Sequence, residues 1–183
     1  MKTGLVTLVA AMMLSASAFA TDTYCKGNEK NLATYLKMHD VLFMQRDETR
    51  AGEFYAAEFI SHNADEGGSA TVKMKPDALK PMWIDSKKNM PDRVLTNDLI
   101  VCADDFVIVR VTVTGTQTGP FFGMPAPNKK INMTAIDIYK FKDGKVVERW
   151  GNNDGITMLG QLGLLSAYAQ MHDAQAAKKA EQK

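Results

Sequence analysis

The sequence has no marked excess of charge of either sign. It contains 22 Lys and Arg against 21 Asp and Glu, which gives a formal net charge of +1. Nucleic acids are bound through clusters of basic residues that neutralise phosphates, and no long basic block occurs before the C-terminal Lys178, Lys179 and Lys183. We therefore expect no nucleic-acid partner.

The sequence also lacks an apolar run of the roughly 20 residues that a membrane-spanning helix needs. A shorter apolar run, Leu5 to Leu14, follows the basic Lys2 and precedes Ala18-Phe19-Ala20. This order is typical of a secretory signal peptide with a cleavage site of small residues. We predict that residues 1–20 are removed and that the mature chain is exported to the periplasm or secreted, without binding a membrane afterwards. An uncleaved N-terminal anchor is the alternative.

Cysteine and histidine are scarce, with 2 and 3 residues respectively. Neither cysteine lies in a CxxC motif, and His39, His62 and His172 lack the spacing of zinc ligands, so we expect no metal site. In an oxidising compartment Cys25 and Cys102 can form a disulfide, which would stabilise the fold by on the order of 4 kcal/mol. The alternative is a buried thiol at Cys102 and a free thiol at Cys25.

The first half of the mature sequence has helical periodicity. Apolar residues recur at helical spacing over 31–46, and we predict two further helices over 48–59 and 76–88. Pro76 suits the first turn of the last of these helices. The region 61–71 contains adjacent glycines and predicts a loop.

After Asp92 the period of the pattern changes to two. Alternating or β-branched residues predict four strands, joined mainly by hairpins, over 93–103, 105–118, 130–142 and 145–150. Because helices come first and strands later, the predicted class is α+β with an antiparallel sheet. Asp154 is a plausible N-cap for a return to helix.

This organisation divides the chain into four parts. They are a signal peptide (1–20), an N-terminal segment (21–30), one domain (31–166) and a polar tail (167–183). We expect the tail to be either disordered or a frayed helix.

Asp137 is the most informative residue in the predicted strands. Side chains alternate along a strand, so Asp137 shares one face with apolar and aromatic residues only, namely Ile131, Met133, Ala135, Tyr139 and Phe141. A carboxylate is seldom placed on such a row unless it is paired, faces a cavity or takes part in proton transfer. The alternative is a structural aspartate at a sheet edge or hydrogen-bonded to a neighbouring strand.

Two neighbouring strands offer further polar candidates. Gln117 ends an apolar row, where its amide can either bind a ligand carbonyl or be solvated at the strand end. In the last strand, alternation places Val146, Glu148 and Trp150 on one face, which offers a second carboxylate and an aromatic wall. An ion pair with an arginine such as Arg149 is the alternative role for Glu148.

The second half of the chain contains a series of short motifs in fixed order. They are Gly115-Thr-Gln-Thr-Gly119, Phe122-Gly-Met-Pro-Ala126, Asp137-Ile-Tyr-Lys-Phe141, Asp143-Gly-Lys-Val-Val-Glu-Arg-Trp150, Asp154 and Gln161-Leu-Gly163. The series resembles the SnoaL-like polyketide cyclase family of the nuclear transport factor 2-like superfamily. The resemblance implies a cone-shaped α+β barrel in which N-terminal helices wrap a strongly curved sheet, and a C-terminal helix follows the sheet. It also implies a homodimer formed through the outer face of the sheet.

The resemblance assigns roles to particular residues. Asp137 falls on the aspartate that serves family members as acid and base in an intramolecular aldol cyclisation. Family members commonly have a histidine where this chain has Gln117, and an uncharged amide cannot replace an imidazole in proton transfer. The pair His62-Asn63 resembles a loop element that meets the substrate. Other candidate ligand-binding residues are Tyr35, Trp83, Phe121, Phe122, Trp150 and Glu148; plain core packing is the alternative for the apolar ones.

These patterns support competing functions. The first is a cofactor-free cyclase or isomerase that acts on a small apolar carbonyl compound, with Asp137 as acid/base and with Asn63, Gln117 or Tyr35 stabilising the oxyanion. The second is a non-catalytic binding protein for a hydrophobic small molecule, which Gln117 favours. A third is a dimeric adaptor with a filled cone, because one fold hosts many functions.

Overall fold

The structure, a computed structural model, describes residues 21–62, 71–121 and 123–181. Two of the candidate residues, Asn63 and Phe122, lie outside the described residues, as does the predicted signal peptide.

The N-terminal helices form largely as predicted. Helix α1 spans Glu29–Met38 and continues as a π-helical segment over His39–Met44. Helix α2 spans Lys80–Asn89 after a 3-10 turn over Pro76–Leu79, and Pro76 occupies the first turn, where a missing N–H costs no hydrogen bond. Both helices bury one side against the sheet.

The predicted helix over 48–59 is wrong in its second half. Only Glu48–Glu53 is helical, as a 3-10 segment, and the chain then forms strand β2 over Tyr55–His62. The buried aromatic residues Tyr55 and Phe59 are four apart, and residues at that spacing share a face in a helix and in a strand alike. The segment forms a strand because it pairs with the strand that contains Val146 and Glu148.

The remaining strands are β1 (Asp22–Tyr24), β3 (Thr71–Met74), β4 (Val94–Ala103), β5 (Phe106–Gln117), β6 (Lys129–Lys142) and β7 (Lys145–Asn153). In the described part of the chain, the seven strands form one sheet in the order β1-β4-β5-β6-β7-β2-β3. The four predicted strands are confirmed as β4 to β7, and they pair antiparallel as expected. The sequence did not predict β1, β2 or β3, and two pairings, β1 with β4 and β2 with β7, are parallel.

Among the described strands, the register shifts in three places. It skips Asp98 between β4 and β5, it skips Val147 between β6 and β7, and it is irregular between Tyr55 and Ile60 where β2 pairs with β7. A bulge adds one residue to one strand, increases the local twist and turns the following side chains to the opposite face. The sheet is curved and unclosed, and the helices cover its concave face, which confirms the expected cone.

The core lies between the concave face and the helices. Val107, Val109 and Val111 of β5 are at most 2% exposed. From the helical layer Tyr35, Met38 and Leu42 pack against the same core. The expected disulfide between Cys25 and Cys102 is present and ties the N-terminal segment to β4.

Two helices follow the sheet. Helix α3 spans Gly155–Leu162, and the predicted N-cap Asp154 accepts a hydrogen bond from the Thr157 N–H at 3.0 Å. Gly163 ends α3 in the left-handed conformation, at φ +73°. Helix α4 then runs from Leu165 to Glu181. None of the described helices has the length and apolar character required to cross a membrane.

Candidate functional site

Asp137 lies on the concave face of the sheet. Alternation along β6 buries Ile131, Ala135 and Tyr139 on the same side, as predicted. In the sheet register Asp137 is opposite Val109 of β5 and Gly151 of β7. Its side chain is only 15% exposed, so a charge there needs a partner.

Arg149 is that partner. Its Nη2 atom lies 2.6 Å from Asp137 Oδ1, and the Arg149 side chain is 24% exposed. The bulge at Val147 turns Arg149 onto the concave face, opposite Tyr139, whereas uninterrupted alternation from Val146 would place it outside. Burial opposes the charge of Arg149, but the field of Asp137, followed by those of Tyr139 and Tyr55, raises its pKa above the ordinary value. The guanidinium is therefore a permanent counter-ion for Asp137.

Three buried tyrosines surround the ion pair. Tyr35 of α1, Tyr55 of β2 and Tyr139 of β6 are each at most 3% exposed. Burial, with the Asp137 carboxylate adding to it, raises the pKa of Tyr35 and of Tyr139. Burial raises the pKa of Tyr55 to about 12, with Arg149 opposing the shift and Asp137 adding to it. All three phenols therefore keep their protons and can act as hydrogen-bond donors.

The tyrosines have fixed positions. The Tyr35 O–H donates to Asn97 Oδ1 at 2.7 Å, and its ring lies 5.6 Å from that of Tyr139. The Tyr55 ring packs 4.6 Å from Phe59. Sequence reasoning proposed Tyr35 but missed Arg149, Tyr55 and Tyr139, although alternation alone had placed Tyr139 beside Asp137.

Gln117 uses its amide within its own loop. The side chain is 4% exposed, and Nε2 donates to the carbonyl oxygens of Gly119 at 3.1 Å and Pro120 at 3.3 Å. In the same loop Phe121 forms a bridge with Met124. Trp83 is buried in the core from α2. Ligand binding by Gln117, Phe121 and Trp83 stays a prediction.

A sequence model of the SnoaL-like polyketide cyclases matches residues 33–162, most of the chain. The chain belongs to the SnoaL-like polyketide cyclase family. No curated protein matches the sequence.

Solved structures share the SnoaL-like fold. IdmH from Streptomyces antibioticus, a candidate polyketide cyclase, is 26% identical with a TM-score of 0.62, over 73% of this chain and 98% of IdmH. AclR from Streptomyces galilaeus, a candidate hydroxylase, is 25% identical with a TM-score of 0.63, over 74% and 96% of the two chains. A candidate SnoaL-like polyketide cyclase from Jannaschia sp. CCS1, 19% identical with a TM-score of 0.64 over 73% and 92%, shows the fold alone. The two Streptomyces proteins have different candidate activities, so the fold does not select a reaction.

Three of the predicted site residues lie on the opposite face of the SnoaL-like sheet. The prediction that Val146, Glu148 and Trp150 share a face is wrong, because the bulge at Val147 intervenes. Glu148 does not pair with an arginine; its Oε1 lies 2.8 Å from His62 Nε2. The His62 ring stacks on Trp150 with centroids 4.6 Å apart. The structure therefore does not bring His62, Glu148 and Trp150 together with Asp137.

The outer face of the SnoaL-like sheet carries an apolar groove. Its volume is about 390 Å³, and it is lined by Phe106, Ile136, Ile138, Trp150, Gly151 and Asn152. Ile136 is 49% exposed. No cluster of His, Cys, Asp and Glu suited to a metal ion occurs among the described residues.

Proposed function

We propose that the protein binds a small apolar carbonyl compound inside the cone and catalyses a cofactor-free cyclisation or isomerisation. The observation that carries this proposal is the Asp137–Arg149 ion pair on the concave face, surrounded by three protonated phenols. A carboxylate among neutral donors is the arrangement that proton transfer next to a carbonyl needs.

The residues would divide the work as follows. An Asp137 oxygen accepts the proton from the carbon next to the ligand carbonyl, and the electron pair of that C–H bond moves to form an enolate. A phenol O–H, from Tyr55 or Tyr139, donates a hydrogen bond to the enolate oxygen. Return of the proton to another carbon completes an isomerisation. Alternatively, attack of the enolate carbon on a second carbonyl forms a ring and an alkoxide, which then takes the proton back from Asp137.

Arg149 has two opposing effects on this chemistry. It fixes the orientation of the Asp137 carboxylate, as a base requires, by donating a hydrogen bond to Oδ1. The same hydrogen bond occupies one of the two oxygens that could accept a proton from a ligand. This effect favours the second candidate function, a non-catalytic binding protein for a hydrophobic small molecule, and the engagement of the Gln117 amide in its own loop also favours it.

The two functions differ in their response to Asp137→Asn, which keeps the shape of the side chain. We would identify the ligand by native mass spectrometry of protein purified from its own compartment, then compare turnover and binding by wild type and variant. An enzyme loses turnover by two or more orders of magnitude and retains ligand binding. Full activity in Asp137→Asn would reject the acid/base role.

We also propose that the chain is exported and forms a homodimer. The Cys25–Cys102 disulfide supports an oxidising compartment. The apolar groove on the outer face supports a second copy as its occupant, since exposed apolar surface of this kind marks interaction sites.

A further inference from the structure

Three buried side-chain polar atoms in the described part of the chain have no hydrogen-bond partner. They are His39 Nε2, Trp83 Nε1 and Arg93 Nε. Buried polar groups in native proteins are nearly always paired, and the exceptions point to strain, solvent or function. None of the three belongs to the Asp137–Arg149 pair, and the proposed reaction does not use them.

The three residues meet around Phe43. The ring centroids of His39 and Phe43 are 6.2 Å apart. The ring centroids of Phe43 and of Trp83, which lies on α2, are 6.4 Å apart. Arg93, which precedes β4, donates from Nη2 to the Phe43 carbonyl oxygen at 3.0 Å. His39, Trp83 and Arg93 come from separate segments of the chain, so it is the fold that brings all three residues into contact with Phe43.

The charge of this cluster is not balanced. Within residues 21–62, 71–121 and 123–181, no carboxylate forms an ion pair with Arg93 or with its neighbour Arg46. Burial, followed by the field of Arg46, lowers the pKa of Arg93 to about 10. Arg46 donates to the carbonyl oxygens of Ser86, Met90 and Pro91. Among the described residues Arg93 has one acceptor, the Phe43 carbonyl oxygen.

Among the described residues, Asp92 and Asp40 are the acidic neighbours in sequence of Arg93 and His39. The Asp92 carboxylate accepts hydrogen bonds from the N–H and the hydroxyl of Thr116. The field of Asp40 acts on His39. Asp40 is exposed, however, and its Oδ2 accepts a hydrogen bond from Gln45 Nε2 at 2.8 Å. It therefore does not provide a counter-ion for Arg93.

We propose that Arg93 and Trp83 form a second binding site, beside His39 in the helical wall of the cone, for a carboxylate group of the ligand. This inference rests on the proposed ligand site inside the cone and narrows its substrate class to apolar carbonyl compounds that also carry a carboxylate. A carboxylate oxygen accepts from Arg93 Nε and Trp83 Nε1 and balances the arginine charge.

Tyr35 connects the two sites. Its ring lies 6.1 Å from the His39 ring and 5.6 Å from the Tyr139 ring. A ligand with its carboxylate at Arg93 would pass along Tyr35 and reach Asp137 with its carbonyl end. The helical wall would thus orient the molecule for the chemistry at the sheet.

The test compares two probes that differ in charge but little in shape, 2-naphthoate and 2-naphthamide. Binding is measured by titration calorimetry and by the indole N–H signals of the two tryptophans, Trp83 and Trp150. We expect 2-naphthoate to bind at least tenfold more tightly and to shift the Trp83 signal, while Trp150, on the outer face, stays unchanged.

Variants locate the charge preference. Arg93→Gln should remove the tenfold preference for 2-naphthoate. Trp83→Phe keeps an aromatic ring but loses the N–H, so it should weaken the binding of 2-naphthoate several-fold. Arg110→Gln is the matched control, because Arg110 is ion-paired with Asp98 on the outer face and its loss changes the net charge equally. Circular dichroism checks that each variant is folded.

Each other outcome overturns the inference. Equal affinity for the two probes would mean an apolar cavity without carboxylate recognition. Absence of binding by both probes would leave internal water as the partner of the unpaired atoms. The proposed reaction fails separately, since Asp137→Asn should keep the preference for 2-naphthoate whether or not wild type catalyses a reaction.

Discussion

Gly151 faces Asp137 directly across strands β6 and β7. A Cβ atom at position 151 would lie 2.7 Å from Asp137 Oδ1 and 2.6 Å from Arg149 Nη2, closer than real side chains approach. The absence of a side chain at Gly151 therefore makes room for the ion pair.

Gly151→Ala should displace one of the two charged side chains. We expect the free energy of unfolding to fall by about 1–3 kcal/mol, as for other overpacked sites, and urea denaturation measures it. Gly155→Ala is the control, since nothing lies within 4 Å of a Cβ atom there; it should be neutral or slightly stabilising. Unchanged stability of Gly151→Ala would show that the ion pair is not held as described.

The ion pair should be strongly coupled. Arg149→Met leaves the Asp137 carboxylate buried without its counter-ion, and we expect a loss of about 3 kcal/mol. The double variant Arg149→Met/Asp137→Asn should recover part of this loss, because no uncompensated charge remains. A double-mutant cycle by urea denaturation measures the coupling. The more exposed pair Arg110–Asp98 is the control and should couple by less than about 1 kcal/mol; similar values for the two pairs would contradict the prediction.

The sequence predicted the regular part of the site and missed the irregular part. Strands β5 and β6 pair without a register shift from Phe106 to Gln117, so alternation placed Asp137 and its apolar neighbours on the correct face. Arg149 was missed because the bulge at Val147 depends on pairing with β6, which alternation along one strand does not report. Counting from Val146 therefore assigned Glu148 and Trp150 to the wrong face.

A second limit came from patterns that fit two structures. The spacing of Tyr55 and Phe59 suits a helix and a strand equally, and the parallel pairing with β7 that decides for the strand involves residues about ninety positions away. The unpaired atoms of His39, Trp83 and Arg93 likewise depend on contacts among segments that are separated in sequence. Local periodicity carries no information about such contacts.

His39 should make stability depend on pH. Burial lowers its pKa, with Asp40 and the Leu95 backbone opposing the shift and Arg93 adding to it. The pKa in the unfolded chain is near the model-peptide value of about 6.5, so as the pH falls below that value the unfolded state binds a proton before the folded state does. The free energy of unfolding should therefore decrease with falling pH in this range. Urea denaturation between about pH 7 and pH 5.5 measures this dependence. The change of unfolding free energy with pH should become smaller in His39→Phe but not in the control His172→Gln, which lies at an exposed position on α4. Equal pH dependence in the two variants would contradict the assignment to His39.

Ile136→Glu tests the proposed dimer. Ile136 is 49% exposed and lines the outer-face groove, so the change should not unfold a single chain. We expect wild type to be a dimer and the variant a monomer by light scattering coupled to gel filtration. Ile84→Glu is the control, because Ile84 is similarly exposed, at 51%, but lies on α2. A wild-type monomer would reject the dimer.

The disulfide should contribute a large part of the stability. Cys25 and Cys102 are 77 positions apart, and the chain-entropy estimate for closing such a loop is about 4 kcal/mol. We expect reductant to lower the free energy of unfolding of wild type by about 2–4 kcal/mol, and Cys25→Ala/Cys102→Ala to be equally destabilised without reductant and insensitive to it. Insensitivity of the double variant separates loss of the cross-link from other effects of the reductant.

Intact mass after alkylation tests whether the disulfide forms in the cell. Protein recovered by way of the export route should gain two alkyl groups only after reduction. Two thiols that react without reduction would mean that the disulfide does not form in the cell, and the argument for an oxidising compartment would lose its support.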